Sequence, residues 1–264
     1  MKSDLNDITF LIAVRIDTVQ RLENLLTAIR YLEKQAHTHI HVLEANELDN
    51  RVLSKCLSRK TRYRFVEDND PVFYRTKYFN QMTREVETPF IALWDADVIV
   101  EKKALTEGMA SLRTGEYEVV YPYNTQFYEV PEILRKLFIK KPDIRLLTGH
   151  IKQMRLLYNC AMVGGAVLLN KEKYIQAGME NEKHYGWGND DWDRYYRFLQ
   201  SGYSIRHTGN VLFHLTHPRS ANSRFRSVTQ ENLSKDELLT IKSFSPEELR
   251  ERFTRIPYAE KVIE

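Results

Sequence analysis

Asp95 and Asp97 lie one alanine apart within FIALWDADVIV, residues 90–100, where the other nine residues are all apolar. A buried carboxylate without a partner is costly, and two close together also repel. In a strand, residues two apart point to the same side. The pair then projects together and makes a seat for a hard divalent cation. The same two residues also suit a turn after Trp94.

The stretch YGWGNDDWDRYYRF, residues 185–198, is the next that suggests chemistry. Gly186 and Gly188 allow backbone conformations that a side chain would block. Trp187 between them offers a flat face on which the C–H faces of a sugar can stack. Asp190, Asp191 and Asp193 follow where a helix begins, a comfortable place for anions. A capping aspartate and a core tryptophan would account for part of this string. Downstream, FHLTHPRS carries His214 and His217. Neutral imidazole ligates Mn²⁺-like ions beside carboxylates, although a strand histidine can equally be a core residue. His37, His39 and His41 alternate and read as a solvated strand edge.

The elements that must position these residues alternate. ITFLIAV (residues 8–14) is a short apolar run suited to a buried strand. Val19, Leu22, Leu25, Leu26, Ile29 and Leu32 then follow at helical spacing. Residues 39–46 and 62–70 read as strands, 75–86 as a helix, and 89–100 as one continuous fourth strand. Such alternation predicts an α/β fold with a mostly parallel sheet. In such sheets ligands gather at the carboxyl ends of strands. Polar residues recur there: Arg15 and Asp17, Glu44, Glu67 to Asn69, then Asp95 and Asp97. In the second half, residues 118–130 read as strand and loop, and 160–170 as a strand interrupted by Gly164 and Gly165. Residues 204–217 read as a single strand. Beyond residue 230 the chain reads as charged helix, with SPEEL (residues 245–249) as a capping signature.

Composition narrows the classes. The 264 residues are 42% hydrophobic and 28% charged, which suits a globular chain. A net charge of +3 with interspersed signs gives no electrostatic footprint for nucleic acid. Two cysteines, Cys56 and Cys160, are too few for a disulfide framework and read as core residues. No signal-like N-terminus and no membrane-spanning apolar run is visible, so the expected location is cytoplasmic, at most peripheral on a membrane. Residues 132–141 form a basic amphipathic segment with Arg135, Lys136, Lys140 and Lys141, a shape that can rest on an anionic membrane.

Taken together, the Asp-Xaa-Asp stretch, the Gly-Trp-Gly-Xaa-acid-Asp string and the downstream histidine resemble the GT-A glycosyltransferases. The half from VRIDTVQRLENLLTAIRYL to DAD is similar to family-2 nucleotide-sugar transferases. The Gly-Gly strand and GWGNDDWD resemble the C-terminal motif of the β4-galactosyltransferases. The likeness spans roughly residues 8–220. It departs from the galactosyltransferase string at Tyr185, where that string has Trp, at Asp190, where it has Glu, and at Trp192, where it has Asp.

The resemblance implies a GT-A, Rossmann-like mixed sheet flanked by helices and a metal-dependent, inverting transfer from a UDP-sugar. Asp97 and His214, with Asp95 close by, would hold Mn²⁺ or Mg²⁺. Arg15, Asp17, Glu44, Asp68, Arg75, Asp95, Gly165 and Trp187 would meet the donor, with Lys77 a further cation for its diphosphate. Asp191 would be the base, with neighbouring Asp190 the other candidate. The acceptor would be a glycan or a lipid-linked hydroxyl, and the setting polysaccharide or surface-glycan synthesis. Residues 1–228 form the expected transferase domain, with 1–100 binding nucleotide and 101–228 the acceptor. Residues 229–264 form a helical extension. A nucleotidyltransferase is a rival, but VRIDTVQRL lacks the glycines of its phosphate loop. A non-catalytic carbohydrate-binding protein is another, but it would have lost the metal ligands or the base.

Overall fold

The structure is a computed structural model in which residues 2–219, 222 and 224–254 are described. Strand β1 (Ser3–Val14) opens the central sheet, and helix α1 (Val19–Gln35) follows. Thr18 caps α1 by accepting from the Arg21 amide, and Leu25, Ala28, Ile29 and Leu32 form its buried face. Strand β2 (Ala36–Asn46), short helix α2 (Val52–Cys56), strand β3 (Thr61–Glu67) and helix α3 (Arg75–Glu85) complete the first third. Next come β4 (Phe90–Trp94), β5 (Val98–Val100), α4 (Lys102–Arg113), β6 (Val119–Tyr121), β7 (Phe127–Val130), α5 (Glu132–Lys140) and α6 (Ile144–Gly149). The last described elements are β8 (Arg155–Leu156), β9 (Ala166–Asn170), α7 (Lys171–Gln176), α8 (Asp190–Gln200), β10 (Ile205–His207), β11 (Leu212–Leu215), α9 (Val228–Ser243) and α10 (Pro246–Thr254).

A seven-stranded sheet runs β10-β6-β9-β4-β1-β2-β3. Its β4-β1-β2-β3 part is parallel, as the strand–helix alternation predicts, and β9 inserts antiparallel between β4 and β6. A second sheet, β5-β11-β7-β8, was not legible from the sequence. It exists because two expected strands each break in two. The run 89–100 leaves the central sheet after Trp94, turns through Asp95–Asp97, and joins the second sheet as β5. Backbone bonds hold the turn from both sides: the Asp95 amide donates to Gly165 O, and the Leu215 amide to Asp97 O, each at 2.8 Å. Two carboxylates cannot be satisfied inside a ladder, so the chain changes sheets where they occur. The run 204–217 likewise divides into β10 on the edge of the first sheet and β11 inside the second. The Gly-Gly stretch enters strand only at Ala166.

Three further expectations are corrected. Cys56 and Cys160 are exposed. Arg135 is buried, not part of a basic outer face: its guanidinium donates to Glu23, Asn24 and the Gln20 carbonyl of α1. The outer face of α5 presents Ile133, Lys136, Leu137 and Lys140. His37 and His39 are exposed, but β2 lies between β1 and β3, and His41 is fully buried. The charged tail is helical as expected, with Ser245 and Glu248 making a reciprocal capping box, and Ile241, Leu249 and Phe253 packing near Tyr196 of α8. Residues 255–264 of the expected extension lie outside the described residues.

His41 carries a pH consequence. Among the described residues neither ring nitrogen has a hydrogen-bond partner, and Glu85 is 3.7 Å away. Burial, helped by Arg62 and Arg64, pushes the imidazole down to about 4. Between that value and the ordinary one, the unfolded chain binds a proton that the folded chain refuses. Stability therefore holds above pH 6.5 and declines as the pH falls toward 4. Denaturant melts at pH 7 and 4.5 should show His41→Leu losing less stability on acidification than the native chain. An equal loss in both would refute the assignment.

Candidate functional site

The two sheets meet around a cleft of about 380 Å³. Asp95, Asp97, Arg75, Gly164, Gly165, Trp187, Asp190, Asp191, His214 and His217 all line it. The stretches singled out by residue type thus converge in one place, although more than 100 residues separate the first from the last.

One wall is a metal-ligating cluster. Asp97 comes from the turn between the sheets, His214 from β11, and His217 from the segment after it. His217 Nε2 lies 3.0 Å from Asp97 Oδ2, and His214 Nε2 3.8 Å from Asp97 Oδ1. One ligand atom from each of the three falls within 4.8 Å of the others. Among the described residues His214 Nδ1 is buried without a hydrogen-bond partner, and its Nε2 sits too far from Asp97 for a hydrogen bond. A carboxylate and two imidazoles, one of them lacking its own partner, fit a Mn²⁺-like ion. Burial works against the Asp97 charge, but His214, His217 and Arg21 outweigh it and hold the carboxyl low. His217 replaces Asp95 in the set expected from sequence. The His-Xaa-Xaa-His spacing was the available signal for it.

Asp95 belongs instead to a second cluster built on Arg75. This guanidinium reaches Asp95 at 2.8 Å, Asp190 at 2.6 Å and Asp191 at 3.5 Å, with Phe79 beneath it at 4.7 Å. Arg75 was expected to face a diphosphate; here it ties the Asp-Ala-Asp turn to the start of α8. Arg194 adds a 2.6 Å bond to Asp191, and Glu180 anchors Arg194 from behind at 3.0 Å. The two neighbouring aspartates differ. Burial, then the charge on Asp191, push Asp190 above its ordinary value despite Arg75. Burial also opposes the Asp191 charge, but Arg75 and Arg194 outweigh it and keep that carboxyl low. Asp191 is also the more open of the two, its side chain 25% exposed against 9%.

Gly164 owes its identity to Asp191. A Cβ at that position would lie 2.2 Å from Asp191 Oδ2. The glycine makes room for this carboxylate. Gly165 has a φ of +74° and backs onto Phe127, so its freedom serves the turn that receives the Asp95 amide.

The other expected donor contacts divide. Arg15 lines the cleft and is fixed by Asp68 at 2.5 Å and by the carbonyls of Ala45 and Asp70. Trp187 lines it half-exposed, with Phe225 edge-on at 5.3 Å. Asp68 is absent from the lining and acts through Arg15 and Tyr78. Glu44 is buried against the Tyr63 hydroxyl at 2.9 Å. Asp17 pairs with Arg21 on α1, and Lys77 lies over Tyr78, both outside the lining. Strand-end position marked Arg15, Asp17, Glu44 and Asp68, but it does not tell a side chain aimed into the cleft from one that braces its neighbour. Tyr158 and Arg219, which sit together at the cleft wall with the guanidinium 6.0 Å from the ring, were missed. No motif announced them.

Comparisons with known proteins bear on the fold and on one segment of the chain. Residues 150–219 match the family described as the N-terminal domain of galactosyltransferase. No curated protein matches the chain. Among solved structures, the catalytic domain of Drosophila β1,4-galactosyltransferase 7 in complex with xylobiose is similar at 16% identity and a TM-score of 0.51. A mutant of that enzyme in complex with manganese, UDP-Gal and xylobiose is similar at 16% identity and a TM-score of 0.55. Each likeness covers 88% of this chain and 79% of the other. The fold is therefore the GT-A fold of the galactosyltransferases. The matched segment holds the Gly-Gly turn, Asp190, Asp191 and both cleft histidines, and this segment is galactosyltransferase-like.

Proposed function

We propose that this chain is a metal-dependent, inverting glycosyltransferase. It moves a hexose or N-acetylhexosamine from a UDP-sugar to a hydroxyl of a glycan or lipid-linked acceptor. One observation carries the reading: the Asp97, His214 and His217 cluster and the Asp190–Asp191 pair open on the same cleft. The manganese and UDP-Gal bound by the Drosophila relative support it.

In this reading Asp97, His214 and His217 hold Mn²⁺ or Mg²⁺. The bound ion supplies Lewis-acid stabilisation of charge on the departing diphosphate. Asp191 takes the proton of the acceptor hydroxyl while that oxygen attacks the anomeric carbon. The bond from that carbon to the diphosphate breaks on the opposite face, and its electron pair leaves with UDP. Asp190 and Asp95 face the sugar hydroxyls, Trp187 offers its face to a ring, and Arg15 faces the nucleoside. Arg75 keeps the acids in register. The intact metal cluster and the ionised Asp191 favour catalysis over a carbohydrate-binding role. The absence of glycine from VRIDTVQRL disfavours nucleotidyl transfer.

The lipid-linked form of the acceptor, and contact with a cytoplasmic membrane face, rest on Ile133, Lys136, Leu137 and Lys140. Cosedimentation with anionic vesicles tests that contact, and no binding would dismiss it. The function itself is tested by calorimetric titration of UDP with Mn²⁺ present and with the metal chelated. Binding only with the metal is expected. Binding that ignores the metal, or none at all, would refute the reading.

A further inference from the structure

Helix α9 follows the family-matched segment, yet it reaches back to the loop that presents Asp190 and Asp191. That loop holds an unusual density of left-handed backbone: Gly186 at φ +91°, Gly188 at +103° and Asn189 at +65°. Asn189 is not a glycine, and as the residue before α8 it makes no side-chain cap bond to the helix. A left-handed asparagine is uncommon and must be held by its surroundings. Its amide nitrogen instead bonds Ser234 Oγ of α9 at 3.1 Å.

Ser234 is buried and its hydroxyl is the centre of the contact. It bonds Gly188 O at 3.0 Å and His184 Nδ1 at 3.1 Å besides Asn189. A hydroxyl has one proton to give, and the carbonyl can only accept. The hydroxyl therefore donates to Gly188 O and accepts from both Asn189 and His184. His184 Nε2 in turn donates to Asp193 Oδ2 at 2.8 Å, and Arg197 and Asn181 also bond that carboxylate. With both nitrogens donating, His184 is an imidazolium paired to Asp193, one turn into α8. Gln230 adds a second tie four residues earlier on α9, donating to Tyr185 O at 2.6 Å.

We infer that Ser234 is a positioning residue for the transfer reaction: through Gly188, Asn189 and His184 it sets the turn that aims Asp190 and Asp191 into the cleft. The inference rests on the glycosyltransferase reading above. Ser234 is not part of the cleft lining, so its loss should slow turnover without weakening donor capture. Small displacements of a reacting group can cost up to about 100-fold in rate.

The test compares Ser234→Ala with Ser111→Ala in the full chain. Ser111 is equally buried on α4, bonds Glu107 O and Arg206, and is not part of the cleft lining. Ser234→Ala should lower kcat about tenfold with donor KM nearly unchanged. Ser111→Ala should keep native kcat at a similar loss of Tm. Acrylamide quenching of tryptophan emission provides a readout that needs no activity, because Trp187 sits in the held loop between Gly186 and Gly188. Quenching should rise in Ser234→Ala and not in Ser111→Ala. Native kcat or native quenching in Ser234→Ala overturns the inference, as does an equal change in Ser111→Ala. A native chain that turns over no donor overturns the transferase reading instead, and the quenching still decides whether Ser234 holds the loop.

Discussion

Asp191→Asn should abolish sugar transfer while leaving UDP binding intact. The substitution keeps shape but removes the charge and with it the ability to take a proton. Asp191 is held ionised by Arg75 and Arg194, faces the cleft, and has a glycine opposite it because no side chain fits there. General-base catalysis is worth about 10²–10⁴ in rate, so kcat should fall by about that factor. Arg194 keeps Glu180 and Arg75 keeps Asp95 and Asp190, so neither cation is stranded. Folding should survive, which a Tm within a few degrees of native would establish. Asp190→Asn provides the contrast. Asp190 is more buried and its carboxyl is raised by burial and by Asp191, so its loss should raise sugar KM more than it lowers kcat. The reverse pattern would exchange the two roles.

Asp97→Ala should eliminate metal binding and turnover together. Asp97 is the carboxylate of the cluster, and the two imidazoles converge on it. Removing partners that merely orient metal ligands already costs 10–100-fold in affinity, so losing a ligand should weaken Mn²⁺ binding by at least about 100-fold. His217→Ala should weaken it comparably. Asp95→Asn should weaken it far less, because Asp95 is committed to Arg75. Titration of Mn²⁺, followed by calorimetry or by the paramagnetic signal of the free ion, separates the three. A defect in Asp95→Asn equal to that in Asp97→Ala would return Asp95 to the metal, as the sequence alone suggested.

The sequence carried the parallel half of the fold well. Spacing in α1, the short apolar run of β1 and the capping box before α10 each report a local preference that the tertiary structure keeps. It carried the two broken strands poorly. FIALWDADVIV and SIRHTGNVLFHLTH both look continuous because apolar residues dominate each. What breaks them is a change of sheet, which depends on Gly165 and Leu215 reaching the Asp95–Asp97 turn from distant segments. The site was legible by residue type, since Asp97, Asp191, Trp187 and His214 all line the cleft. Which acid joins the two histidines and which meets an arginine was not, because Arg75 reaches Asp190 across 115 residues. His41 and Arg135 were misplaced for a similar reason: a polar residue's burial depends on what lies across from it.

The most direct test of a metal-dependent transferase is release of UDP from a panel of UDP-sugars with and without Mn²⁺, run beside Asp97→Ala. The expected result is turnover of one donor that requires Mn²⁺ and vanishes in the variant, which would also identify the sugar. Turnover that persists in the Asp97→Ala variant, or no release from any donor with Mn²⁺ present, would contradict it.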